Sequence, residues 1–435
     1  MRSSIFLVIV FLVTLWACDT TSNIKDPSKN YFVKYFGGNG SQRAVGLIVN
    51  TDGTFFILGN SRAADDSLQK IYLAKAKATG EVIWQKTFNE NVETEARGFV
   101  LTGDQSNLAV VANRYPSTST SYVSLYFFDV NSGAKTNVVS IPSSSYTYSN
   151  SITLTNSNEY LLSGNTPKPS AGNDTSVWVY LVDPSTLALD SRWTSGSVYN
   201  TSGIHFGSGV KTFDGGDGFF YMYGSSRAAF QGKAGIKYYS YQVGTNGVPN
   251  NASDNYPPFY LKGYYNLLTD VFLANPGAVI TGVTDSLGTL YFKLLKMRTI
   301  ALTYDLSGSD LGSEFSLGGS GANNSYSLPL GKIPGTSSAN PFVTGATSST
   351  GYHFVANSFS VSNNSDIMLL KTNLTLTPQP GFPVTFGGVG DDTAAAVAEL
   401  PDGHIIVLGT FQLGNPVNQY KIVLMKLNSK GQLQE

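Results

Sequence analysis

The chain has 435 residues, a net charge of −1 at pH 7 and only 13% charged residues. Because positive and negative charges are nearly equal in number, the composition predicts no basic face. This argues against nucleic acid and anionic lipid as partners. Tyr and Phe are abundant, at 25 each, and no long stretch shows the 3.6-residue period of an amphipathic helix, so we expect strands with little helix.

The first residues have the pattern of an export signal. Arg2 is the only charge before an apolar run over residues 5–16, which is long enough for a signal-peptide core and too short to span a membrane as a helix. The run ends in Leu15-Trp16-Ala17-Cys18, and Cys18 is the only cysteine of the chain. An exported chain with one cysteine forms no internal disulfide.

Residues 15–18 resemble the lipobox of bacterial lipoproteins, with an apolar residue at −3, a small one at −1 and then cysteine. The resemblance implies that a signal peptide, residues 1–17, is removed and that Cys18 is acylated, which places the protein in the bacterial cell envelope by a membrane anchor. A plain secretory signal with an incidental cysteine is the alternative. Residues 18–30 are polar and predict a flexible tether that reaches about 40 Å when extended.

A glycine-rich phrase occurs near both ends of the remaining chain. The segment 36–40, Phe-Gly-Gly-Asn-Gly, returns at 386–390 as Phe-Gly-Gly-Val-Gly. At the same offset from each phrase, Asp52-Gly53 and Asp402-Gly403 predict a turn, and Gly59 then corresponds to Gly409. Self-similarity of this kind predicts a repeat architecture.

A unit of two strands can be followed seven times along the chain. Its first strand ends near Gly or Ala, often with Asn, Ser or Thr after it, and its second is aromatic and aliphatic and usually ends in Lys or Asp. The copies are 55–61 with 71–75, 108–113 with 122–129, 160–165 with 177–183, 219–225 with 236–243, 278–284 with 290–296, 352–358 with 367–371, and 404–410 with 420–427.

The spacing predicts an all-β fold, a seven-bladed β-propeller over residues 31–435. The copies recur about every 58 residues, which suits a four-stranded blade with generous loops; six or eight blades would also fit. The strand at 31–36 has no partner in the first copy, and the last copy ends where another strand is needed. We therefore expect the N-terminal strand to pair with the last blade and to remove an exposed sheet edge.

Residues 31–88 and 382–435 resemble a repeat of extracellular proteins of the Bacteroidetes, with the phrases F-G-G-x-G, D-G-x-[FY]-[IV]-[LV]-G and a strand ending in Lys. Residues 89–380 match it poorly. The resemblance implies a β-propeller on a secreted or surface protein and implies no activity, because such propellers mostly bind or act as scaffolds. Fold alone does not fix function.

The sequence provides few candidates for catalysis. His205, His353 and His404 are distant in sequence, with no plausible carboxylate ligand recognised beside them, so no metal site is predicted. The repeats predict His353 and His404 at the same point, as polar residues at a strand entrance, and His205 lies in a predicted loop. We assign no catalytic, cofactor-binding or metal-binding residue.

Two acidic pairs, Asp65-Asp66 and Asp391-Asp392, are the carboxylates that a glycosidase would need. Both fall in predicted turns, where Asp is favoured for local hydrogen bonds. Tyrosine-rich segments at 238–241, 256–260 and 264–265 are either partner-binding surfaces or ordinary packing between sheets. The insertion at 318–350 is either a binding loop or a tolerated surface loop.

These observations favour a membrane-anchored binding or scaffold lipoprotein that recognises a protein or a glycan, rather than an enzyme. A glycan-active hydrolase or lyase with carboxylates in the propeller channel is the main alternative. An accessory subunit of an outer-membrane complex is the third, and it would need a large apolar patch.

Overall fold

The computed structural model describes seventeen segments of the chain: 31–65, 68–88, 90–117, 120–141, 148–167, 175–188, 197–199, 204–214, 219–230, 233–244, 266–273, 278–285, 297–304, 310–317, 344–359, 365–414 and 419–434. All regular structure within them is β-strand. No described segment forms a helix long and apolar enough to cross a membrane. The signal segment 1–17, Cys18 and the tether lie outside the described residues.

Three antiparallel sheets occupy the N-terminal half of the described chain. Sheet 1 contains β2 (Ser41–Val49), β3 (Phe55–Arg62), β4 (Lys70–Ala76) and β5 (Val82–Thr87). Sheet 2 contains β6 (Glu93–Leu101), β7 (Asn107–Ser117), β8 (Thr120–Asp129) and β9 (Lys135–Ile141). Sheet 3 contains β10 (Tyr148–Leu154), β11 (Tyr160–Pro167), β12 (Thr175–Val182) and β13 (Ser197–Tyr199).

Four further sheets follow. Sheet 4 contains β14 (Ile204–Asp214), β15 (Phe219–Phe230) and β16 (Lys233–Gly244), and sheet 5 contains β17 (Asn266–Leu273), β18 (Ala278–Asp285), β19 (Met297–Tyr304) and β20 (Asp310–Leu317). Sheet 6 contains β21 (Thr344–Thr347), β22 (Gly351–Phe359), β23 (Ser365–Asn373) and β24 (Val384–Phe386). Sheet 7 contains β25 (Thr393–Glu399), β26 (Ile405–Leu413), β27 (Gln419–Leu427) and, from the other end of the chain, β1 (Phe32–Phe36).

The sheets pack face to face. The first strand of each sheet lies beside the first strand of the next: β2 by β6, β6 by β10, β10 by β14, β14 by β17, β17 by β21, β21 by β25, and β25 by β2. The second and third strands are covered by neighbouring sheets on both faces, and they consequently read as continuous apolar runs. Seven residues of β3 are buried, whereas β5 at the outer edge is mostly exposed. These antiparallel sheets, six with four described strands and one with three, form a β-propeller, and the all-β prediction is confirmed for the described residues.

The predicted turns are present in both copies of the repeat. The N–H of Gly53 donates to the carbonyl of Asn50, at 3.0 Å, and the N–H of Gly403 donates to the carbonyl of Leu400, at 2.9 Å. Both glycines have a left-handed backbone, with φ of 79° and 81°, which a residue with a side chain adopts at a cost.

The glycine that follows the apolar stretch of β3 and of β26 permits a close approach between sheets. A Cβ atom at Gly59 would lie 2.5 Å from Cδ1 of Ile422 in sheet 7, and one at Gly409 would lie 2.2 Å from Cδ1 of Ile367 in sheet 6. The correspondence of Gly59 and Gly409 in the sequence therefore reflects the same packing contact at two boundaries between sheets.

The polar residue after that glycine or alanine forms a clamp onto the next sheet. Its side-chain oxygen accepts a hydrogen bond from a backbone N–H of the neighbouring first strand, next to a bulge in that strand. The clamps are Asn60 to Ala96 at 2.8 Å, Asn113 to Ser149 at 2.7 Å and Asn357 to Ala394 at 2.9 Å. Each clamp satisfies a buried backbone donor that the bulge removes from the ladder.

The two ends of the chain meet in sheet 7. β1 pairs antiparallel with β27 from Phe32 opposite Lys426 to Phe36 opposite Ile422, as the sequence predicted. A fourth clamp connects sheet 7 to sheet 1, because the N–H of Ala44 donates to Oγ1 of Thr410 at 2.9 Å. Residues from the first and last copies of the repeat thus make the same contact as residues from consecutive copies.

Two sequence predictions were wrong in position. The partner of β18 is β19, which begins at Met297, and not the apolar run at 290–296, which lies outside the described residues. Both runs are apolar, and composition does not fix which of two neighbouring runs pairs. The predicted insertion at 318–350 includes β21, the first strand of sheet 6; its residues 318–343 are outside the described part.

Candidate functional site

The antiparallel order gives the propeller two different sides. One side, the turn side, carries the short turns after the first and third strands, such as 50–53 and 400–403. The other, the loop side, carries the connections between sheets, including the glycine segments 37–40 and 387–391, and the hairpin loops after the second strands. Binding residues lie disproportionately on loops, and the longer connections of this propeller are on the loop side.

A partly buried ammonium group fixes the first glycine segment. Nζ of Lys421 in β27 donates to the carbonyls of Gly38 and Gly40, the latter at 2.8 Å, and to Oε1 of Gln42 at 3.0 Å. Burial lowers the pKa of Lys421. These bonds join sheet 7 to segment 37–40, which leads into the first strand of sheet 1. They therefore add to the contact between the two chain ends.

A buried carboxylate fixes the second glycine segment. Asp392, 1% exposed, accepts hydrogen bonds from the N–H of Gly388 at 2.8 Å and of Gln412 at 2.9 Å. Burial raises its pKa, and these two bonds partly oppose the rise. The prediction that Asp391-Asp392 serves local hydrogen bonding is supported by this geometry. Asp65 lies in a loop of sheet 1, and Asp66 lies outside the described residues.

Three side chains form a polar group on the innermost strands of sheet 2, towards the loop side. Glu95 accepts a hydrogen bond from the Tyr115 hydroxyl at 2.9 Å and lies 3.2 Å from Arg97. The Glu95 and Arg97 side chains are 25% and 40% exposed. Burial, followed by the Glu95 carboxylate, raises the pKa of Tyr115, so this hydroxyl is a hydrogen-bond donor. We call these residues the Glu95 group.

A bulge positions Arg97. In β6 the pairing with β7 shifts between Ala96 and Gly98, so Arg97 is the extra residue without an opposite partner in the ladder. A bulge redirects a side chain and is frequent beside functional sites. The same one-residue shift occurs in β2, β10, β17 and β25, where the extra residues are Val45, Asn150, Thr269 and Ala395. Arg97 is the charged residue among these five.

A second polar group, the seam cluster, lies between sheets 6 and 7 on the turn side. It consists of His353 in β22, Lys371 in β23 and Glu399 in β25. Nε2 of His353 lies 2.7 Å from Oε2 of Glu399, and Nζ of Lys371 lies 3.4 Å from the same oxygen. Ser349 N–H donates to the other carboxylate oxygen at 2.9 Å. The three side chains are 0%, 8% and 7% exposed.

The seam cluster holds an ionised carboxylate and a neutral imidazole. Burial alone would raise the pKa of Glu399, but hydrogen bonds from Ser349 and His353 and the charge of Lys371 outweigh it and hold this pKa at about 2. Burial lowers the pKa of His353. Because an ionised carboxylate only accepts, Nε2 of His353 carries the hydrogen. Its Nδ1 is buried without a hydrogen-bond partner in the described part of the chain.

The histidines differ from the sequence-based expectation. His353 and His404 are not at equivalent positions of their repeats. His353 lies opposite Lys371, and the residue at the equivalent position of sheet 7, opposite Lys426, is Ile406. His353 therefore lies within strand β22, whereas His404 precedes strand β26. The expectation that no carboxylate lies beside a histidine was also wrong. Glu399 contacts His353, and Asp402 lies 2.9 Å from His404. His205 belongs to strand β14 rather than to a loop.

The tyrosine-rich candidates from the sequence lie only partly within the described residues. The tyrosines of 238–241 belong to β16, and segments 256–260 and 264–265 are outside the described residues. Within the described ranges, no group of three or more His, Cys, Asp or Glu side chains is placed to hold a metal ion. The sequence missed both the Glu95 group and the seam cluster, because their members come from different strands; the bulge at Arg97 leaves no pattern in composition.

Comparison of the sequence with protein-family models gives no match, and comparison with curated proteins gives none either. Among solved structures, polysaccharide lyase Uly1 superposes with a TM-score of 0.49 at 11% identity, over 94% of each chain. The propeller domain of the trilobed protease of Pyrococcus furiosus gives 0.44 at 7% identity, over 88% of this chain and 95% of that one. The acylaminoacyl peptidase of Pyrococcus horikoshii gives 0.45 at 9% identity over 88% of this chain, which spans half the peptidase.

Proposed function

We propose that this protein is a lipid-anchored, seven-bladed propeller of the bacterial envelope that binds a protein or glycan partner on its loop side. The observation that carries the binding role is the Glu95 group. An exposed arginine at a bulge, a carboxylate and a tyrosine hydroxyl converge on innermost strands at the side where the longer connections lie.

The contacts between sheets support a closed ring of seven blades. The first strands follow each other from β2 to β25 and back to β2. At the return, the Thr410 clamp, the pairing of β1 with β27 and the bonds of Lys421 to the first glycine segment all connect the last sheet with the first segments of the chain. A ring closed in this way has no unpaired edge at its junction.

The direction of β1 supports an orientation at the membrane. The ring of Tyr31 lies 5.3 Å from that of His404, which follows a turn of the turn side, and β1 then runs towards the loop side. The tether from Cys18 therefore joins the propeller at its turn side. With acylated Cys18 in the membrane, this arrangement leaves the loop side directed away from the lipid and available to a partner.

The chemistry of the Glu95 group suits a polar ligand. Arginine and tyrosine dominate the energetics of many protein interfaces. Arg97 provides donors to the hydroxyl or carboxylate groups of a glycan, whereas the Tyr115 hydroxyl gives its hydrogen to Glu95 and offers a ligand its oxygen as an acceptor. The chain as a whole is close to neutral, so long-range attraction contributes little, and recognition depends on short-range contacts.

The binding role is tested by comparing wild-type protein with Arg97→Ala on glycan arrays and against purified outer-membrane proteins. Lys77→Ala is the matched control, since Lys77 forms an exposed ion pair with Glu81 in a turn of the turn side. We expect Arg97→Ala to weaken binding at least about tenfold, which corresponds to about 1.4 kcal/mol, and Lys77→Ala to leave it unchanged. Equal binding by all three proteins would refute a loop-side site at Arg97.

A glycan-active hydrolase or lyase remains the second candidate because Glu93 and Glu95 are two residues apart in β6. Alternate side chains of a strand share one face, and glycoside hydrolysis uses two carboxyl groups several ångströms apart. Each of the two is within 3.2 Å of an arginine, Arg62 or Arg97. Cleavage of a polysaccharide by wild-type protein, lost in Glu95→Gln, would favour this candidate.

A further inference from the structure

We propose that the boundary between sheets 6 and 7 is an acid-sensitive joint, where protonation of His353 opens the propeller before other boundaries between sheets respond. The proposal goes beyond the binding role, and it rests on the position, burial and charge of the seam cluster. It requires neither the lipid anchor nor a ligand.

The same position is apolar at two other boundaries between sheets. Between sheets 7 and 1, Ile406 takes the place of His353 and Val49 that of Glu399, and both belong to one apolar cluster. The equivalents between sheets 1 and 2 are Phe56 and Leu101, which also pack in one cluster.

At all three boundaries a lysine lies opposite the residue that corresponds to His353, although the other residues there differ. Lys75 lies opposite Phe56 and Lys426 lies opposite Ile406, as Lys371 lies opposite His353. Three boundaries therefore carry a lysine here, and the seam cluster differs from the other two by a histidine and a glutamate in place of two apolar residues. A buried ionic group of this kind contributes little to stability compared with apolar packing.

A proton on His353 disturbs the charge balance of the cluster. In the neutral state, the carboxylate of Glu399 and the ammonium of Lys371 cancel. Within the described residues, the charged groups that face the imidazole are Glu399 from β25 and Lys371 from β23. Protonation at Nδ1 adds a second positive charge and a buried N–H donor without an acceptor. Opening of the boundary gives that donor access to water.

The direction of the pH dependence follows from linkage. Burial lowers the pKa of His353 in the folded protein below its value in the unfolded chain, about 6.5, so the folded state binds fewer protons. Stability is therefore complete above the unfolded pKa and is lost as the pH falls towards the lower folded pKa. Glu399 stays ionised in this window, because its pKa is about 2.

The test compares denaturant unfolding of wild-type protein, His353→Gln and His404→Gln at about pH 7.5 and 5.5. Each unit by which the folded pKa lies below the unfolded one changes the unfolding constant by up to about tenfold. We expect the wild-type unfolding constant to rise several-fold at the lower pH, His404→Gln to behave likewise, and His353→Gln to lose most of the rise. A rise of full size in folded His353→Gln would overturn the proposal.

A second variant covers the case in which His353→Gln does not fold. The double substitution His353→Ile with Glu399→Val reproduces the composition of the boundary between sheets 7 and 1, and we expect a folded protein with a weaker pH response. Hydrogen exchange, corrected for the pH dependence of intrinsic rates, should show β22 and β25 of the wild type losing protection before β7. Uniform loss along the described strands would contradict a joint at this boundary.

Discussion

Single side chains connect one sheet to the next at equivalent positions. Asn60, Asn113, Asn357 and Thr410 each accept a backbone N–H from the first strand of the following sheet. The sequence displayed the pattern, a polar residue after Gly or Ala, but not its role. The acceptor and its donor are in different sheets, and no local rule connects them.

The clamp at the chain ends can be removed with almost no change in shape by Thr410→Val. The partly buried N–H of Ala44 then lacks its acceptor, and we expect a loss of about 1 kcal/mol or more in the free energy of unfolding. Thr136→Val, at an exposed position of β9, should change it by less than about 0.5 kcal/mol. Denaturant titration checks both; equal stability of the two variants would show that the clamp contributes nothing.

The glycine contact between sheets has a similar test in Gly59→Ala. The added methyl group would meet Ile422 and the carbonyl of Arg43 at 2.5 and 2.7 Å, so we expect a loss of about 1–3 kcal/mol. Gly388→Ala is the control, because the nearest atom to its Cβ lies 4.0 Å away. Thermal unfolding of both variants separates the effect of close packing from a general effect of replacing glycine. A loss of stability in Gly59→Ala that is no larger than in Gly388→Ala would contradict the role of this packing contact.

At the scale of elements, the sequence predicted best where the repeat is most regular. The turns at Gly53 and Gly403 and the strand at 31–36 were located correctly, because glycine, turn residues and a strand without a partner are local signals. The partner of β18 was misplaced, since two adjacent apolar runs compete for one pairing. The Glu95 group and the seam cluster required knowledge of which strands are neighbours in space.

The pairing of β1 makes a prediction about truncation. A chain that begins at residue 37 lacks β1, which exposes the edge of β27 and removes the buried side chains of Phe32 and Phe36. Burial of each such side chain contributes about 1.5–3 kcal/mol, so the melting temperature should fall by several degrees or more. A chain that begins at residue 31 is the matched control. An identical transition for both chains would rule out a stabilising role of β1.

At the scale of the whole molecule, the anchor and the propeller are separate claims. We expect Cys18→Ala to release the protein from membranes into the soluble fraction without a change in melting temperature, because Cys18 lies before the first strand. Membrane fractionation with detection of acylation checks this result. Retention of the unacylated variant in the membrane would mean that another part of the chain holds it there.

Closure of the ring by the N-terminal strand is the central claim, and an engineered disulfide tests it most directly. Val33 and Met425 are opposite each other in the pairing of β1 with β27, and such pairs have Cβ atoms close enough for a disulfide. In a Cys18→Ala background, Val33→Cys with Met425→Cys should oxidise to an intramolecular disulfide in the folded protein and raise the melting temperature over that of the reduced form. Two thiols that stay reduced in the folded protein under the same oxidising conditions would contradict the closed ring.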